Sequence, residues 1–115
     1  MSSTSTPKFV DAATDGVLTV LTGPDQVLTV IGEVDLANVN HFDKALVTAR
    51  EGGRDVHLRL GRLRFIDVKG AELLANLAVQ LQPRHKLVLH SAPESLKRIF
   101  SALWPTLPGV VLRDL

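Results

Sequence analysis

Four histidines, His41, His57, His85 and His90, are the first side chains to weigh for chemistry, because a neutral imidazole can ligate a metal or move a proton. None stands in a His-x-x-x-His or Glu-x-x-His spacing, so no metal site is expected. His90 adjoins Ser91, with Asp67 elsewhere, yet no strand-turn-helix elbow surrounds a serine, and a hydrolase triad is rejected. Glu33 and Asp35 form a carboxylate pair of the kind that serves as acid and base. Such catalysis needs a pocket and shifted pKa values, and turn or cap duty explains both residues more simply. Gly52-Gly53 reads as a helix terminator and Gly61 as a turn glycine, so no phosphate-cradling loop is present and no cofactor is expected.

Two short segments carry more specific chemistry. Asp67 stands before a helical stripe, where a carboxylate satisfies free amides and favours the positive end of the helix dipole. Lys69, in the same first turn, opposes that dipole at a cost of about 0.3 to 1 kcal/mol. It could face an acidic partner, or hold an anion jointly with the helix-start amides. Arg59, Arg62, Arg64 and Lys69 form a local basic cluster, but their alternation with Leu60, Leu63 and Phe65 suits the solvated side of buried segments.

The elements that must position these residues follow from periodicity. Val17 to Thr22 and Val27 to Ile31 are β-prone runs joined by Gly23-Pro24-Asp25, which predicts a hairpin. Val39, Phe42, Leu46 and Ala49 recur at helical offsets, with Asn38 or Asn40 as a candidate cap and Gly52-Gly53 as the end. Val56 to Leu60 alternates strictly, sending His57 and Arg59 away from the core; helices on both sides of the sheet would require apolar residues there instead. Ala71, Leu74, Leu77, Ala78 and Leu81 predict a second helix ending before Pro83, and Leu87 to Leu89 a short strand. Ser91 and Glu94 have the spacing of a capping box ahead of Leu96, Ile99, Phe100 and Leu103, and Val110 to Leu112 suits an edge strand. Trp104 is expected to close the base of the core.

The expected fold is therefore α/β: one small domain with a mixed β-sheet, helices mainly on one face, and the order β-β-α-β-α-β-α-β. Residues 1–16, rich in Ser, Thr and Ala, read as a flexible tail before a domain spanning 17–115. The 115 residues carry 45% apolar side chains and no cysteine, so a hydrophobic core alone must hold the fold. A formal charge of +1 and sparse aromatics argue against nucleic acid as a partner. No run of about 18 apolar residues occurs, so membrane insertion is not expected, and with no secretory pattern the expected location is cytoplasmic.

With this element order, Gly32-Glu33-Val34-Asp35-Leu36 after the second strand and Phe65-Ile66-Asp67-Val68-Lys69-Gly70 after the third resemble the STAS domain family, named for sulfate transporters and anti-sigma factor antagonists. The resemblance runs from about Val17 to Leu112. It implies a non-enzymatic, bacterial-type partner-switching module in transcription regulation, binding an anti-sigma factor kinase or another regulatory protein. The implied contact residues are Glu33, Asp35, Leu36, Asn38, Asp67, Val68, Lys69 and Gly70, and a homodimer is compatible with it. In the family the residue after the motif aspartate is a serine or threonine that accepts phosphate. Here it is Val68, which has no hydroxyl, so switching by phosphorylation at that position is not expected. Two alternatives stay open: a sensor binding a nucleotide or lipid anion near Lys69, and a structural STAS subunit of a larger complex such as a lipid-transport ATPase.

Overall fold

A computed structural model describes residues 11–15 and 17–114. The chain forms β1 (Asp11–Asp15), β2 (Leu18–Thr22), β3 (Leu28–Val34), α1 (Val39–Arg50), β4 (Val56–Arg59), β5 (Leu63–Ile66), α2 (Val68–Leu81), β6 (Leu87–His90), α3 (Glu94–Leu103) and β7 (Val110–Arg113). This is the expected mixed sheet with two short strands added. One of them, β1, pairs antiparallel with β2 inside the segment read as a flexible tail, so the sheet begins before Val17. Residues 1–10 lie outside the described residues.

The sheet runs β1-β2-β3-β4-β6-β7, with β5 also on β3. β4 takes the start of one β3 edge, at Leu28 and Thr29, and β5 takes the end of that same edge, from Gly32 to Val34. Strand alternation then sorts the side chains. Val20, Val30, Leu58 and Leu89 point into a core shared with Phe42 and Leu46 of α1, Leu74 and Leu77 of α2, and Leu96 and Phe100 of α3. All three helices thus cover one face. Ile99 and Trp104 pack against the core, Trp104 meeting Phe100 edge-on at 6.0 Å, whereas Leu103, expected on the buried stripe, is half exposed at the end of its helix.

The capping expectations divide. Asp67 caps α2 through its side chain, Oδ1 accepting from the Gly70 amide at 2.9 Å. In α3 the N-cap position belongs to Pro93 rather than Ser91, which has a φ of 57°. Ser91, Ala92 and Pro93 let the chain leave β6 before the helix begins.

On the helix-free face, His57 Nδ1 and His90 Nε2 lie 2.9 Å apart with their rings stacked. One ring must donate and the other accept, so the contact fails when both are protonated. Burial holds the His90 pKa below its ordinary 6.5, helped by the neighbouring charges of His57, Arg113 and Arg59. As the pH falls through this range the unfolded chain takes up the His90 proton before the folded one does, so His90 makes stability decline with acidification. Urea unfolding of wild type and His90→Asn at pH 7 and pH 5 is expected to show a smaller acid-induced loss in the variant; equal losses in both would rule out this contribution.

Candidate functional site

The C-terminal ends of β3 and β5 lie side by side, Glu33 opposite Phe65 and Val34 opposite Ile66. The Asp67 amide donates to the Val34 carbonyl at 3.1 Å, which ties the loop after β5 to the loop after β3. The two motif segments separated in sequence are therefore one surface.

The first loop is shaped from within. Asp35 Oδ1 accepts from the Ala37 amide at 2.9 Å, a turn made by an aspartate on its own backbone. Asn38 is buried; its Nδ2 donates to the Glu33 carbonyl at 2.9 Å, and its Oδ1 accepts from the Asp35 amide at 3.0 Å. Although Asn38 holds the N-cap position of α1, its side chain makes no cap hydrogen bond and instead fastens the loop. This places Asn38 behind the surface that it was expected to contact a partner with. Its loop directs Leu36 outward, 77% exposed.

The second loop depends on Gly70. A Cβ there would lie 2.7 Å from Ile66 Cγ1 and 2.9 Å from Val34 Cγ1, so the missing side chain lets the first turn of α2 sit against both strands. Gly70 is accordingly buried, and of this loop Val68 and Lys69 face solvent. Lys69 Nζ pairs with Glu72 at 3.1 Å, which supplies the compensation that a cation in a first helical turn requires. That ammonium and the Gly70 amide are both engaged, which leaves little of the joint anion site considered for them.

Arg64 pairs with Glu33 at 3.5 Å across β3 and β5, while Arg59 is on the helix-free face and Arg62 is in the β4–β5 turn. The basic cluster of the sequence thus diverges in space. Two residues absent from the expected set belong to this end of the molecule: Phe65, about half exposed opposite Glu33, and Val17, whose carbonyl accepts from the Glu33 amide. Their apolar character pointed to the core; only the end of the sheet reveals them as surface. Val17, Leu36, Phe65 and Val68 are each exposed at this end of the molecule, where the Glu33–Arg64 and Lys69–Glu72 pairs also lie. Exposed apolar side chains together with charged pairs suit association with another protein. Among the described residues no group of three His, Asp or Glu could hold a metal, and no helix is long and apolar enough to cross a membrane.

The strands and helices define a small α/β domain, and the comparisons with known proteins agree with that fold. The model of the family described as Mlab, STAS domain matches residues 17–103, and the chain belongs to that family. Among solved structures it is similar to the anti-sigma factor antagonist SpoIIAA in its unphosphorylated form, with a TM-score of 0.63 and 17% identity over 85% of this chain and 88% of that one. At that identity the likeness establishes the fold. No curated protein matches the sequence.

Proposed function

We propose that this protein is a non-enzymatic binding module that acts, like an anti-sigma factor antagonist, by docking the surface around Leu36, Phe65 and Val68 on a regulatory protein of a bacterial cytoplasm. The observation that carries the reading is the exposure of large apolar side chains on two loops that a strand pairing and a backbone hydrogen bond join. Burying such side chains on a partner supplies the driving force, and the rim charges set orientation. Asp67 acts from behind, fixing the start of α2, while Glu33, Asp35 and Lys69 meet the partner at the edge.

Control runs through abundance, a ligand or another component, because phosphoryl transfer to the loop needs a hydroxyl in line with the donor and Val68 has none. Mass spectrometry of the protein recovered from its cell is expected to find no phosphate on residues 67–70. A phosphopeptide from that stretch would sink the claim.

A second reading is permanent docking as a structural STAS subunit of a larger complex such as a lipid-transport ATPase. The degree of exposure of Leu36 favours it, since obligate interfaces are the more apolar ones. Affinity capture from the native cell under mild and stringent washing separates the two. An anti-sigma kinase or similar regulator, lost on stringent washing, supports switching; a transport ATPase retained through it supports the structural role. Recovery of neither class would overturn both.

A further inference from the structure

A cleft of about 250 Å³ opens between the C-terminal half of α1 and the β2–β3 hairpin, sharing no residue with the surface around Leu36. Its origin is visible in the helix. Ala45 and Ala49 follow one another along the flank of α1 that faces the hairpin, with Gly52 just beyond the helix, and none has a side chain long enough to reach Val20 or Leu28. The floor is therefore apolar and open, with Val56 closing it from β4.

The mouth has a different character. Lys44 and Arg54 stand there with no ion pair among the described residues. Asp55, the one acid of the lining, is already engaged: its Oδ1 accepts from the Lys86 amide at 2.9 Å and lies 3.7 Å from His85 Nδ1. The opening is cationic as a result. His41 forms part of the wall, and its Nε2 is buried without a hydrogen-bond partner.

From these features we propose that the cleft binds a small amphipathic carboxylate, its chain on the alanine-lined floor and its head between Lys44 and Arg54. Size narrows the class. At about 250 Å³ the cleft suits a small ligand, on the order of ten non-hydrogen atoms. It lies at the small end of the range of ligand sites, of about 300 to 1,000 Å³. The unmatched charge selects an anion over an alcohol or amine of equal length, and the dry floor selects a chain or ring over an inorganic ion.

Octanoate, octan-1-ol and octylammonium, equal in length and different in charge, are the probes for titration of the full chain by amide NMR and calorimetry. Octanoate is expected to bind saturably and to move the amides of Thr22, Ala45, Thr48 and Gly52. The alcohol should bind about tenfold more weakly and the amine not at all. Lys44→Glu combined with Arg54→Glu, both on exposed residues, should weaken octanoate by about tenfold or more. Ala49→Phe should abolish binding by filling the floor; if it fails to fold, Ala45→Leu replaces it. Absence of saturable octanoate binding, equal binding of octylammonium, or shifts confined to other parts of the molecule would each overturn the proposal.

Discussion

Replacing Gly32 with alanine is expected to destabilise the protein by about 3 to 5 kcal/mol, the upper end of what a single substitution does. Two independent costs coincide there. Gly32 has a φ of +104°, outside the ordinary range of residues with a Cβ, and a Cβ would collide with the Val17 carbonyl oxygen. Neither neighbour can yield. The Gly32 amide donates to the Arg62 carbonyl at 3.1 Å, and the Val17 carbonyl accepts from Glu33, so movement would break the contacts that hold β3 to the β4–β5 turn and to the start of β2. Gly53 supplies the control. It also has positive φ, at 68°, but nothing lies within 4 Å of its would-be Cβ, so Gly53→Ala should cost only about 1 to 2 kcal/mol from the backbone conformation. Urea denaturation of the two variants checks the contrast. Similar losses in both would mean that the close approach of Val17 contributes nothing.

The same glycine shows how the site was legible in sequence and where legibility ended. Gly32 and Gly70 belong to motifs whose spacing marked the two loops, and the alternation of Val56 to Leu60 correctly placed the helices on one face. The stripes of α1 and α2 are similarly direct, because a helix buried on one side has few ways to arrange its apolar residues. What escaped the sequence depends chiefly on partners distant along the chain. The polar β1, Asp11 to Asp15, has no periodicity of its own and is a strand only because β2 offers an edge. β5 buries Leu63 and Ile66 but exposes Arg64 and Phe65, a spacing without the alternation of a strand. Asn38 resembled a helix cap by position, yet the Asp35 amide takes the Oδ1 that would accept from the helix, and the Glu33 carbonyl holds its Nδ2 inward. In the two strands a pairing distant along the chain decided the outcome, and at Asn38 a nearer hydrogen-bond partner did.

Those contacts also rank the partner-facing residues. Leu36→Asp is expected to weaken binding of the captured partner by about 100-fold or more, because a central apolar side chain is lost and an unpaired charge is driven into the contact. Folding should be nearly unaffected, since Leu36 is 77% exposed and the hydrogen bonds of its loop are made by Asp35 and Asn38. Lys69→Glu should cost less, about tenfold, and mainly in association rate, because Lys69 is at the exposed rim. Part of even that loss comes from within the free protein: Lys69 already pairs with Glu72, and reversing its charge sets two carboxylates against each other in the first turn of α2. Binding kinetics of both variants against the captured partner, with thermal unfolding of each, distinguish centre from edge. An affinity unchanged by Leu36→Asp would remove the β3–α1 loop from the interface. A larger loss from Lys69→Glu than from Leu36→Asp would show that charge, rather than apolar burial, drives the association at the paired loops.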